Sequence, residues 1–108
     1  MKKSKTKRGF ALFEGTDLYG SKYSLQKSSL ATQDAIWLGI DDADPKIMCS
    51  DARKLGLREW KENMEENNGW CKFDIPKEVL LDTRMHLNRK QAKELIAKLQ
   101  VFVDTGEL

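Results

Sequence analysis

The C-terminal stretch constrains the fold more than any other part of the chain. Ala92, Leu95, Ile96, Leu99, Phe102 and Val103 recur at the i, i+3, i+4, i+7 spacing of one helical face. Lys90, Lys93, Glu94 and Lys98 fall mainly on the other side. Asn88 is a good N-cap, and Gln91 three residues on completes a capping box. Gly106 stands where a left-handed residue would end the helix. The pattern predicts a helix over about 89–104, the only long element available to cover a layer of strands.

What precedes it is short and mostly alternating. Gly9–Glu14 is apolar and aromatic and reads as a strand. Asp17 and Gly20 suit the first and fourth positions of a type I turn. Tyr23 and Leu25 then alternate with Ser24, Gln26 and Ser28, completing a hairpin. Ile36, Leu38 and Ile40 share one face of a third strand, with Trp37 and Gly39 on the other, before Asp41–Pro45 stops it. Residues 46–69 read as an excursion with partial helix: a short strand at 46–49, a helical turn capped by Ser50 or Asp51 and ended by Gly56, and helical apolar spacing over 57–64. Trp70–Ile75 alternates like a strand, Pro76 opens one helical turn, and Arg84–Leu87 forms a last strand with Met85 and Leu87 inward.

These faces assemble into an α+β fold: a mostly antiparallel sheet of four to five strands with the C-terminal amphipathic helix packed on one face. A single domain is expected over 9–108, with a variable excursion at 46–69, behind a flexible basic arm at 1–8. The arm carries Lys2, Lys3, Lys5, Lys7 and Arg8 and no acid, so it is strongly positive while the remaining 14 bases and 17 acids leave the body mildly negative. Such an arm suits weak, salt-dependent binding of nucleic acid, against the simpler reading of a solvated terminus.

Four segments, Ser24–Ala31, Ile36–Gly39, Arg84–Leu87 and Leu99–Leu108, resemble a set of small uncharacterised proteins of bacteria, phages and mobile elements. The resemblance spans most of the chain apart from the arm and residues 46–69. It implies a compact accessory protein of cytoplasmic or phage context, and it brings no catalytic residue and no cofactor with it.

The chemistry on offer is sparse. The chain has one histidine, His86. Ser24, Ser28 and Cys71 are nucleophiles in principle, but no nucleophile elbow supports them. Asp41, Asp42 and Asp44 lack the spacing of a calcium loop, and Cys49, Cys71 and His86 form no zinc pattern. Nothing matches a phosphate-binding glycine loop, and no apolar run approaches a membrane span. Neither a disulfide framework nor an enzyme is therefore expected, and no cofactor or metal. What remains is a surface. The sheet face opposite the helix would display Gln26, Ser28, Trp37, Arg84 and His86, with a shallow depression at Gly39. Tryptophan and arginine among hydrogen-bonding side chains are the residue types of interface hot spots. The expectation is a cytoplasmic, non-enzymatic protein acting through this face on its own copy, as a homodimer, or on another protein. The alternatives are nucleic-acid binding through the arm, or a small anionic ligand near Gly39, Arg84 and His86.

Overall fold

The computed structural model describes residues 1–41, 43–57 and 69–108. The chain separates into two units, one formed by Met1–Asp42 with Asp82–Leu108 and the other by Ala43–Leu81. The second covers the expected excursion and runs on past it to Leu81.

The first unit is a five-stranded antiparallel sheet: β1 (Lys2–Lys5), β2 (Ala11–Thr16), β3 (Lys22–Lys27), β4 (Ala35–Ile40) and, after the second unit, β7 (Arg84–Asn88). Strand order follows chain order, so every strand pairs with its neighbour in sequence within the unit. Helix α2 (Arg89–Thr105) closes the chain. The α+β architecture, the antiparallel sheet and the terminal helix are those the residue patterns imply.

The segment expected to be a free arm is instead the edge strand β1. Lys2, Lys3, Ser4 and Lys5 stand opposite Glu14, Phe13, Leu12 and Ala11. The reversal is made by Thr6–Gly9. Gly9 donates its N–H to the Thr6 carbonyl at 2.9 Å, Thr6 donates to Phe10 at 2.8 Å, and Thr6 Oγ1 accepts the Phe10 N–H. Gly9 sits at φ 87°, the left-handed position that lets a three-residue loop match the strand twist. Lysines along the outermost strand also deter edge-to-edge association. The β2–β3 reversal behaves as its sequence implies: Asp17 Oδ1 accepts from the Tyr19 and Ser21 amides at 2.8 and 2.9 Å, and Gly20 donates to the Asp17 carbonyl.

Register assigns the faces. Phe13, Leu25 and Leu38 lie in one row that ends at Met85, and Ile36 pairs with Leu87. The opposite face carries the row Leu12, Gln26, Trp37 and His86. Strand β7 runs into α2 without a connector, Asn88 being both the last strand residue and the N-cap. The capping box is complete: Asn88 Oδ1 accepts the Gln91 N–H at 2.9 Å, and Gln91 Oε1 accepts the Asn88 N–H at 3.0 Å.

The helix meets the sheet at its N-terminal end. Its Ala92 borders a cavity with Ile36 and Leu87, and Ala92 and Leu95 are half-buried, but no α2 residue is fully buried. Among the described residues of the first unit the buried ones are Ser24, Ser28 and Ala35, so none of these is an apolar side chain larger than alanine.

The second unit pairs β5 (Lys46–Met48) with β6 (Trp70–Lys72), and α1 (Cys49–Lys54) follows β5 directly. The helix begins at Cys49, ahead of Ser50 and Asp51, and its N-cap Met48 makes no side-chain cap. It ends as Gly56 implies: the Gly56 N–H reaches the Arg53 carbonyl and the Leu57 N–H reaches the Ala52 carbonyl, both at 3.1 Å. This is the paired bonding of a Schellman end. Strand β6 stops at Lys72, short of Ile75, and Pro76 opens a turn closed by the Val79 N–H. The expected helical spacing over 57–64 lies, past Leu57, outside the described residues. Cys49 and Cys71 form a disulfide, with Cα atoms 5.6 Å apart, at the centre of a small core with Ala52, Ile47 and Leu57. Two cysteines without a framework gave no sign of this bond; the β5–β6 register sets Cys71 opposite Ile47, diagonal to Cys49, and so makes it geometrically natural.

Candidate functional site: a stacked aromatic and cationic row

Strands β3, β4 and β7 bring together the five side chains singled out for the open sheet face. Gln26 pairs with Trp37, and Trp37 pairs with His86, so three strands place them side by side. The Trp37 and His86 rings stack with centroids 3.9 Å apart and an interplanar angle of 6°. Parallel rings at that distance gain from offset stacking and from the shared apolar area. Arg84, two residues before His86 and therefore on the same face, holds its guanidinium carbon 5.3 Å from the centre of the indole. That is cation–π range, and guanidinium is the cation best suited to it.

Hydrogen bonds at each end fix the row. Arg84 Nη1 donates to Gln26 Oε1 at 3.3 Å. His86 Nε2 lies 2.9 Å from Ser28 Oγ, which also accepts the Leu30 N–H at 3.1 Å. Ser28 is buried because its own N–H continues the ladder to the Ala35 carbonyl, holding it beneath the imidazole. Trp37 and Arg84 are half-buried and His86 is exposed. The site is therefore a ridge with a polar edge, held in place before anything binds.

Gly39 does not leave the expected depression. A side chain there would meet the Thr83 carbonyl oxygen, and its Cβ would lie 2.7 Å from Arg84 Cα. The strand after the second unit enters close against β4, with Thr83 Oγ1 donating to the Ile40 carbonyl at 2.8 Å. The backbone of the neighbouring strand therefore excludes a side chain at position 39.

The Ser28–His86 pair has the contact distance of a nucleophile and its base. Ser28 is only 5% exposed, however, and its hydroxyl oxygen is already an acceptor for the backbone. A nucleophile has to reach its electrophile, so the bond is better read as an anchor for the imidazole. Cys71, another candidate nucleophile, is consumed in the disulfide, and Ser24 is buried in the row Glu14, Ser24, Gly39 and Arg84. Among the described residues no group of three or more His, Cys, Asp or Glu could hold a metal ion; Asp44 faces Lys46 at 3.5 Å.

The basic residues of the first segment do not converge. Lys2 projects to the face of Trp37, Lys3 and Lys5 to the opposite face, and Lys7 and Arg8 occupy the turn. Lys3 lies over the Phe13 ring at 5.8 Å and Arg8 over Phe10 at 5.7 Å. Among the described residues no helix is long and apolar enough to cross a membrane. Comparison of the chain with protein-family models, curated proteins and solved structures finds no match.

Proposed function

We propose that the chain is a non-enzymatic binding protein whose contact surface is the ridge of Trp37, Arg84 and His86, with Gln26 and Ser28 as its supports. The observation that carries this reading is the stacking of Trp37 between strands with its charged and hydrogen-bonding neighbours already tied down. Ordering a tryptophan and an arginine on binding costs free energy, and a ridge ordered beforehand avoids that cost. An accessory role in a phage or mobile element rests on the resemblance of the four segments alone. The occupant of the ridge is another protein: the row is largely polar, and the large exposed apolar side chains of this unit lie elsewhere, among them Ile96, Leu99 and Phe102 on α2.

The expected cytoplasmic setting would keep Cys49 and Cys71 as thiols, whereas the disulfide belongs to an oxidising one. Selection of displayed peptides against the folded chain tests the binding reading. Enriched ligands should lose about thirtyfold in affinity on Arg84→Ala or His86→Ala, the loss of a hot-spot residue. Ligands that bind both variants as tightly as the parent chain would remove the ridge from consideration.

Weak nucleic-acid binding is a second reading, favoured by the two basic–aromatic pairs at the β1–β2 end. Its test is a salt titration of single-stranded oligonucleotide binding with Lys3→Ala and Arg8→Ala; an unchanged salt slope would exclude these cations as the contacts.

A further inference from the structure

Helix α2 carries its charges in the order its own dipole disfavours. A helix is steadied by acids in its first turn and bases in its last. Helix α2 has no acid in the first turn and no base in the last. Arg89, Lys90 and Lys93 occupy its N-terminal half beside Glu94, Lys98 lies just past the middle, and Asp104 stands in the last turn, with Glu107 beyond the Gly106 cap.

The same helix bears an apolar stripe that its unit leaves uncovered from Ile96 onward. Ala92, Leu95, Ile96, Leu99, Phe102 and Val103 fall within an arc of about 120° centred on Leu99. Ile96, Leu99, Phe102 and Val103 are 65%, 50%, 52% and 73% exposed. An inverted charge order and an uncovered stripe are both accounted for if a second helix of opposite polarity lies alongside.

We propose that the stripe binds α2 of a second copy of this chain, antiparallel, about a two-fold axis near Leu99. Such an axis sets Leu99 against its own copy, Leu95 against Val103, and Ile96 against Phe102. It also sets Lys93 beside the second copy's Asp104, both on the same flank of the stripe, and brings the basic start of one helix, with Arg89, toward the acidic end of the other. A parallel pair would place bases against bases, so the charge order selects the antiparallel one. Existing contacts leave the charges available. Arg89 Nη1 lies 3.7 Å from Asp34, with the arginine side chain 86% exposed, and Asp104 Oδ1 accepts from Gln100 while keeping a second oxygen.

The area is sufficient. The exposed stripe with its flanking side-chain stems offers on the order of 500 Å² per protomer, hence ~1,000 Å² across the pair, the lower bound of a specific interface. The contact uses a different surface from the Trp37 ridge and stands whether or not that ridge binds protein.

Sedimentation velocity of the full chain over a dilution series should show a monomer–dimer equilibrium. Leu99→Lys, at a half-exposed helical position, should retain the helical circular dichroism and raise the dissociation constant by about a hundredfold. Lys93→Glu should weaken the dimer, and Lys93→Glu with Asp104→Lys should restore it. Leu99→Cys should cross-link to its own copy on mild oxidation, and Val101→Cys, on the opposite side of the helix, should not. A chain that is monomeric at every concentration, a dimer indifferent to Leu99→Lys, or a double charge exchange no better than the single one would each overturn the proposal; indifference to Leu99→Lys would mean that another surface holds the two copies together.

Discussion

Removing the disulfide should unfold the second unit and leave the first standing. The bond joins Cys49 and Cys71 across a sequence separation of 22. Loop-closure entropy for such a loop amounts to about 3.4 kcal/mol at 25 °C in the chain-entropy account. Among the described residues of the unit the buried ones are Cys49, Ala52 and Cys71, with Ile47 and Leu57 packed against them, and two of the three are the cysteines themselves. A segment below ~40 residues rarely folds on such a core without a covalent staple, and Ala43–Leu81 is of that size. The disulfide contribution is thus comparable with the whole stability the unit can be expected to have. Hydrogen exchange read by mass spectrometry, on the oxidised chain and on Cys49→Ser with Cys71→Ser, measures this directly. The backbone amide at position 49, bonded to Gly69, and the Phe73 amide, bonded to Pro45, should lose their protection, while amides of β3 and β4 keep theirs. Equal protection of those two amides in both forms would show that the core holds without the bond and that the entropic argument fails here.

Gly39→Ala should destabilise the first unit by about 3 kcal/mol or more, because the new methyl meets backbone of Thr83 and Arg84 and an interior strand has to move; a denaturation midpoint near that of the parent chain would contradict the close approach. Asn88→Ala removes the acceptor for the Gln91 N–H and should cost about 1 kcal/mol, a melting shift of roughly 4–8 °C for a unit of this size. If Asn88→Ser holds the parent melting temperature while Asn88→Ala does not, the cap is the cause.

The helix and its caps were legible because their determinants are local. Asn88, Gln91 and Gly106 act within one turn of themselves, and a stripe at 3.6-residue spacing needs no knowledge of its partner. Strand faces were legible for a related reason: side chains alternate with period two, so Gln26, Trp37, Arg84 and His86 share a face once their strands pair in register. The β1 strand escaped because Lys2–Lys5 has no apolar alternation. Only Gly9, following Thr6-Lys7-Arg8, hinted at a reversal, and a strand of lysines is stabilised by pairing with β2 rather than by its own composition.

Composition and periodicity by themselves determined an α+β chain, the two-faced sheet and the residues that line each face. Three things needed the tertiary structure. The contact of Thr83 with Gly39 depends on how β7 enters beside β4, a pairing made across more than forty residues of intervening chain. The Cys49–Cys71 bond depends on the β5–β6 register. The exposure of the α2 stripe from Ile96 onward depends on what lies beside it in space, which the spacing of apolar residues does not carry. Each is a long-range geometric fact, and residue spacing along a chain carries information only about the neighbourhood in which its physics acts.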